Sequence, residues 1–322
     1  MRYWIGVGTI ISAREGHAVI EGDNTTSLAP NLPERSDPVR RSGHFLVVTQ
    51  GLRRFAARRS AVVGLAIIVF LALFSFLGPL LYRTNQVTTH LTQANLAPSS
   101  AHLLGTSDVG YDILGRLMAG GQSALEVGVG AAVVTIVIGT WWGALAGYFG
   151  GWVDAVLMRV ADSVLAIPAL LLVLLIGTIV SPSVPLLILE IGLISWAVPA
   201  RLVRGETLAL RVREFVDAAK GAGASGRWIV FRHIIPNVIG VIVVQTTLSI
   251  ANSIALFSVI SYLGLGPPAP ATNWGGMLSN GLNFVYDGYW WEIYPAGLAI
   301  VLAVVAFNFV GEGLRDTLET RD

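Results

Sequence analysis

The sequence contains no cysteine and only one lysine, and each shortage excludes a class of function. Without cysteine there is no disulfide, no thiol nucleophile and no thiolate ligand for a metal. A P-loop needs a lysine that follows glycine and precedes serine or threonine, because that lysine holds the phosphates of a bound nucleotide. The single lysine, Lys220, lies instead between Ala219 and Gly221. We therefore expect no nucleotide site and no cofactor in this chain.

Charge is also scarce. Only 13% of the residues are charged and 54% are hydrophobic, whereas soluble domains carry about a quarter charged residues. The net charge of +1 gives no electrostatic footprint for nucleic acid. The five histidines are scattered without metal-binding spacing, and no serine lies in a nucleophile elbow. We therefore expect a membrane protein without catalytic residues, without a metal site and without enzymatic activity.

Long stretches without charge predict the membrane spans, since a helix needs about 20 apolar residues to cross a bilayer. Residues 181–185 (Ser-Pro-Ser-Val-Pro) interrupt one such stretch and are interpreted as a tight turn between two spans. Six spans are predicted, at about 61–82, 127–153, 164–180, 184–200, 234–264 and 293–311. The predicted fold class is an all-α integral membrane protein with six transmembrane helices.

The basic residues predict the orientation of these spans. If the N-terminus is inside, the outer loops contain only Arg83 and Arg116, and the other 19 of the 21 basic residues lie on the cytoplasmic side. Such an excess is typical of cytoplasmic segments. Both termini are therefore predicted to be cytoplasmic. Residues 1–48 are predicted to form a flexible tail, 49–120 the first span with an extracytoplasmic loop, and 313–322 a second cytoplasmic tail.

Four glycines recur at four-residue spacing in the second predicted span, namely Gly139, Gly143, Gly147 and Gly151. Small residues at this interval let two helix backbones approach closely, which is how helices associate in lipid. We expect this stripe to pack against a neighbouring helix and assign no substrate chemistry to it.

Glu190 is the only charged residue well inside a predicted span. A charge buried in lipid is costly, so such residues often mark a transport path. Three interpretations remain open: Glu190 lies near the outer mouth of the fourth helix, faces a wet cavity, or is protonated. It is kept as a candidate residue of the transport pathway.

The loop between the fourth and fifth spans is the most cationic part of the chain outside the N-terminal tail. Arg201 and Arg204 are expected to end the fourth helix, where cations suit a helix C-terminus. Glu214 begins a predicted short helix, which glycines 221, 223 and 226 interrupt, and a second helix ends at Pro236. The residues alone allow two interpretations: a basic loop lying on the inner leaflet, or a rigid elbow that receives force from a soluble partner.

Five positions in this loop resemble the Glu-Ala-Ala signature of permeases in binding-protein-dependent ATP-binding-cassette (ABC) importers. In that family the 214–236 loop corresponds to a coupling helix that docks in a groove of the ATPase subunit. The matching positions are Asp217 in place of the usual Glu, Ala218, Ala219, Gly223 and Pro236. The residues to which the resemblance assigns coupling are Asp217, Ala218, Ala219, Lys220, Gly221, Ala222, Gly223, Ala224, Ser225 and Pro236.

Further stretches resemble the dipeptide, oligopeptide and nickel permeases of this family, of the C type. They are residues 102–116, 262–268, 274–278 and 311–316. The resemblance implies the type I importer permease fold, with the permease domain at 121–312. It also implies a multi-pass protein of the bacterial plasma membrane.

The resemblance further implies the partners: a sister permease in a heterodimer, two ATPase subunits that hold ATP and Mg²⁺, an extracytoplasmic solute-binding protein and the lipid bilayer, but no nucleic acid. The expected cargo is a short peptide. Alternatives are nickel or another small solute as cargo, and an ion-gradient-driven secondary carrier as the protein class. The sparse charge within the predicted spans disfavours the carrier.

Overall fold

The computed structural model describes residues 53, 55–84 and 86–319, which all belong to the compact unit that begins at His44. The predicted tail 1–48 and the last three residues of the predicted C-terminal tail lie outside the described residues. Within the described part there is no β-strand, only one isolated bridge between Thr106 and Asp112. The all-α prediction is confirmed for these residues.

Thirteen α-helices are described, several of them only one turn long. They are α1 (Arg59–Phe76), α2 (Gly78–Leu81), α3 (Ile113–Phe149), α4 (Gly151–Ala166), α5 (Ala169–Ile179), α6 (Val184–Ser195), α7 (Ala197–Leu210), α8 (Glu214–Gly221), α9 (Gly226–Ile229), α10 (Ile235–Asn237), α11 (Ile239–Ile260), α12 (Trp274–Leu282) and α13 (Tyr294–Glu319). Two π-helical segments, Val230–Ile234 and Ser261–Leu265, adjoin α10 and α11, and 3₁₀ turns lie at Leu91–Gln93, Val285–Asp287 and Trp290–Glu292.

Four segments are each long and apolar enough to cross a membrane. They are Arg59–Phe76, Ile113–Phe149, Ile239–Leu265 and Trp290–Leu318. The pairs α4/α5 and α6/α7 pass the same test together but are bent by 77° and 46°. The described residues therefore contain four candidate spans, or six if each bent pair crosses once.

The helix that contains most of the second predicted span begins earlier than the charge-free stretch indicated. Helix α3 begins at Ile113 rather than at 127, and it passes through Glu126 on its exposed side. Its start is fixed by Asp112, whose Oδ1 accepts a hydrogen bond from the Gly115 backbone N–H at 2.9 Å, a typical N-cap contact. The helix ends before Gly150, which has a φ of +65°. A charged residue on a solvated or partner-facing side does not end a helix, so the charge-free stretch underestimated its length.

The turn before the fourth predicted span is confirmed, but the predicted end of the fourth helix is wrong. Helix α5 ends at Ile179 and α6 starts at Val184. Helix α7 then runs on to Leu210, so Arg201 and Arg204 lie inside it and do not end it. Both arginines pair with aspartates of α4, which lets the helix continue past its apolar part.

The glycine stripe packs α3 against α7, as predicted, at three of its four positions. A Cβ added at Gly143 would lie 2.3 Å from the Ala200 carbonyl oxygen, and one at Gly147 would lie 2.8 Å from that of Arg204. At Gly139 the nearest atom would be a Pro199 carbon at 2.8 Å. Gly151 instead begins α4 and has open space around its Cβ position. The two helices therefore touch backbone to backbone over two turns.

The main core lies where α3, α11, α12 and α13 meet, with further buried residues from α1, α5 and α6. Trp274, at the start of α12, is fully buried and donates its indole N–H to the Leu117 carbonyl oxygen at 2.8 Å. Gly120 and Gly121 of α3 make room for its ring. Helix α12 is thereby anchored on the first turns of α3, at the end of the bundle opposite the 211–238 segment.

The close approach of α3 and α7 gives a matched pair of substitutions. Gly143→Ala should destabilise the protein by about 1–3 kcal/mol, because the added methyl collides with fixed backbone atoms. Gly205→Ala on α7 enters open space and should stabilise slightly, since alanine favours helix by about 1 kcal/mol over glycine. Thermal unfolding of the two purified variants in one detergent measures the difference. Equal midpoints would show that the helices do not touch as described.

Candidate functional site

The segment 214–236, hereafter the elbow, connects α7 to α11. It contains α8, α9, the π-helical segment Val230–Ile234 and the start of α10. Helix α8 has Glu214 and Asp217 in its first turn and Lys220 in its last, the arrangement that the helix dipole favours. The predicted order of helix, break and second helix is present.

One glycine, Gly223, makes the break. Its φ is +82°, a region that glycine enters without steric cost. Its N–H donates to the Lys220 carbonyl oxygen at 2.9 Å, and the Ala224 N–H donates to that of Ala219 at 3.0 Å. This pair of bonds is the Schellman ending of a helix. The prediction that three glycines interrupt the helix was wrong for two of them, because Gly221 closes α8 and Gly226 opens α9.

The second helix does not end at Pro236. The π-helical segment precedes this proline, which occupies the first turn of α10, where its missing N–H is no loss. The chain then continues through Val238 into α11. The predicted helix end at Pro236 was therefore wrong. The sequence alone does not distinguish a proline in the first turn of a helix from a proline that ends the preceding helix.

A small apolar core fixes the elbow to the rest of the protein. Val216, Ile229 and Ile234 are fully buried together, and Tyr148 of α3 and Leu210 of α7 pack against them. Arg211 adds a hydrogen bond: its guanidinium donates to the Gly147 carbonyl oxygen, near the end of α3, at 3.2 Å. The elbow is thus held to the same ends of α3 and α7 that the glycine stripe brings together.

The opposite side of the elbow is open. A groove of about 720 Å³ runs along it, lined by Phe215, Ala219, Ala222, Gly223, Ala224, Ser225, Trp228 and His233. The ring of His233 lies between those of Trp228 and Phe215, at centroid distances of 5.0 and 6.0 Å. Asp217 and Lys220 do not line this groove; they are exposed on another side of α8, near Tyr148, Phe149 and Arg211, and pair with each other at 2.9 Å. A shallow groove with aromatic walls and small residues on its floor suits contact with another polypeptide.

Glu190, the other candidate, is not part of this surface. It lies in α6, is 5% exposed, and neither of its carboxylate oxygens has a hydrogen-bond partner within the described residues. Leu187 and Ile191 on either side of it are buried in the main core. Its role in a transport pathway stays a prediction.

Two ion pairs between α4 and α7 were not predicted from the sequence. Arg204 donates to both carboxylate oxygens of Asp154, from Nε to Oδ1 at 2.5 Å and from Nη2 to Oδ2 at 2.6 Å. Arg201 donates from Nη2 to Oδ1 of Asp162 at 2.6 Å. The residues that form these pairs are visible in the sequence, as two aspartates on one side of α4 and two arginines one turn apart on α7. The pairing of residues that are 39 and 50 positions apart could not be predicted from it.

Comparison with known proteins places this chain among transport permeases. Residues 139–321, which include the elbow, match the family described as binding-protein-dependent transport system inner membrane component. Residues 49–98 match the N-terminal TM domain of oligopeptide transport permease C.

Individual relatives agree with this. The oligopeptide transport system permease protein OppC of Escherichia coli (strain K12) is 42% identical over 272 residues, 84% of this chain and 90% of that protein. OppC of Bacillus subtilis (strain 168) is 39% identical over 268 residues, 83% and 88% of the two chains. The dipeptide transport system permease protein DppC of the same strain is 36% identical over 269 residues, 84% of each chain.

The Schellman break supplies a prediction about the elbow itself. Gly223→Ala should cost about 1 kcal/mol locally, because alanine resists the left-handed conformation. Gly221→Ala, in a helical conformation with open space around it, should cost nothing. Hydrogen exchange of the Ala224 amide should quicken about fivefold in the first variant only. Equal exchange in both variants would contradict the described break.

Proposed function

This chain belongs to the family of binding-protein-dependent transport system inner membrane components, and on that premise we propose that its elbow is the contact for an ATPase subunit. It is a C-type permease subunit of a peptide-importing ABC transporter, as the oligopeptide and dipeptide permeases that match most of its length indicate. Nothing in these likenesses supports nickel or another small solute as its cargo.

One observation carries the coupling proposal: the elbow is rigidly anchored on one side and open on the other. Its buried side contacts the ends of α3 and α7, while the groove and the Asp217–Lys220 pair face outward. A loop resting on lipid headgroups needs neither a Schellman break nor its own apolar core. A docking helix needs both, since a partner transmits force only to a part that keeps its shape.

We infer a six-span topology in which α4/α5 and α6/α7 each cross the membrane once. Both termini and the elbow then lie on the cytoplasmic side of the bacterial plasma membrane. The excess of arginine in the N-terminal tail and in residues 201–233 supports this orientation. The bend in α6/α7 occurs near Ser195, well before the elbow, and α7 then continues without a break to Leu210.

In the proposed mechanism the chain is half of a heterodimeric pore formed with a sister permease. Two ATPase subunits hold ATP and Mg²⁺ and carry out hydrolysis, and an extracytoplasmic solute-binding protein delivers the peptide. When the ATPase dimer closes, it moves the elbow, and α7 passes the displacement to α3 through the glycine contact and to α4 through Arg201 and Arg204. The bundle then changes between inward-open and outward-open states as rigid bodies.

A change of charge on the elbow tests this function. Asp217→Arg breaks the pair with Lys220 and reverses a charge on the exposed surface of the elbow, so peptide uptake should fall at least tenfold while the protein still inserts and the ATPase subunits still hydrolyse ATP. Glu206→Arg, an equal charge reversal at an exposed position of α7, should leave uptake within about twofold. Both are measured with labelled tripeptide in proteoliposomes that contain the whole transporter.

Collapsing the ion gradients in the same proteoliposomes distinguishes an ABC importer from an ion-gradient-driven secondary carrier. An ABC importer should continue to take up peptide as long as ATP is present. Uptake that stops with the gradient and ignores ATP would identify a secondary carrier instead, and normal uptake by the Asp217→Arg variant would remove the elbow from the mechanism.

A further inference from the structure

A second cavity lies at the other end of the bundle from the elbow. It measures about 310 Å³ and is formed by residues 89–116, the segment after α11, α12 and the 3₁₀ turn Trp290–Glu292. Its lining includes two carboxylates, Asp108 and Glu292, together with Arg116 and Asn280. Under the proposed topology it faces the extracytoplasmic side, where the peptide arrives.

Glu292 is the unusual member of this lining. It is only 3% exposed, and its Oε1 has no hydrogen-bond partner within the described residues. The Asp108 backbone hydrogen-bonds the same carboxyl group and holds it in place. Gly281 packs against the Glu292 carbonyl oxygen, where a Cβ would lie at 2.8 Å. A buried acceptor without a partner is costly, so this fixed oxygen points to a donor that comes from elsewhere.

Arg116 does not provide that donor. Its guanidinium lies over the ring of Tyr111, 4.7 Å from the centroid. Within the described residues it forms no ion pair with Asp108 or Glu292. It lines both this cavity and an adjacent one of about 360 Å³, as do Met277 and Asn280. The two cavities together thus have an acidic end and a basic residue between them.

We propose that Glu292 and Asp108 bind a primary ammonium group, and that the group is the amino terminus of a short peptide on its way into the pore. The walls beside them are apolar, with Val109, Ile113 and Met277, which suits the first side chain of a peptide. Arg116 is placed to receive a peptide carboxylate from the adjacent cavity. Sites of this volume are typical of small-ligand binding. The proposal deepens the proposed function and rests on it.

Direct binding tests it without the transport cycle. The complete transporter in nanodiscs, without the solute-binding protein, is titrated calorimetrically with trialanine, with N-acetyl-trialanine and with N-acetyl-alanyl-lysine amide. Trialanine should bind saturably, and acetylation of its amino group should weaken binding at least tenfold, because the charged hydrogen bond is lost. Glu292→Gln should weaken trialanine binding to a similar extent, with Asp108→Asn in between. Glu312→Gln, an exposed glutamate near the other end of α13, should change nothing.

Several results would overturn the site. Saturable binding that ignores both acetylation and Glu292→Gln contradicts it, and so does the absence of binding. If the acetylated lysine compound binds as well as trialanine and depends on Glu292, the ammonium site stands but its assignment to the peptide amino terminus is wrong. Thermal midpoints within 2 °C of the parent confirm that Glu292→Gln folds. ATP-driven uptake measured with the solute-binding protein keeps the two proposals apart: uptake without trialanine binding removes this site alone.

Discussion

The rest of this structure depends on the direct contact between the backbones of α3 and α7. Between helices in lipid there is no hydrophobic driving force, so association relies on close packing. Gly143 and Gly147 leave no room for a side chain between the two helices. Larger residues would hold them apart and separate the ends that meet beneath the elbow. The elbow has a fixed position because this contact is fixed.

Two kinds of interaction extend the contact in both directions. On the side of the elbow, the fully buried Val216 and Ile229 pack against residues at the ends of both helices. On the side of α4, Arg204 donates two hydrogen bonds to Asp154. Two such bonds are stronger and more directional than one. The elbow, α3, α4 and α7 are therefore connected to one another and are expected to move together. The cavity lined by Asp108 and Glu292 lies near the start of the same α3. One long helix therefore connects the proposed peptide contact to the proposed ATPase contact.

The sequence was informative where a local rule decides the outcome. Long apolar stretches revealed the membrane helices, glycine spacing revealed the α3 contact, and the short helix with its glycine break revealed the elbow. It was misleading where the outcome depends on distant residues. Glu126 and Arg204 lie inside helices because of what surrounds them, and their charge seemed to mark helix ends. Gly221 and Gly223 could not be distinguished in the sequence, yet of the two only Gly223 adopts a positive φ. Glu292 looked like the edge of a span, and only the fold shows that it lines a cavity with Asp108.

Cross-linking shows whether a soluble ATPase subunit contacts the elbow. Because the chain has no cysteine, Ala222→Cys in the groove and Leu91→Cys in the exposed segment before α3 each carry a single thiol for a photoactivated cross-linker. We expect a cross-link from position 222 to the ATPase subunit that changes in yield when ATP binds, and none from position 91. An elbow thiol that reacts only with lipid, or equal cross-linking from both positions, would contradict this contact.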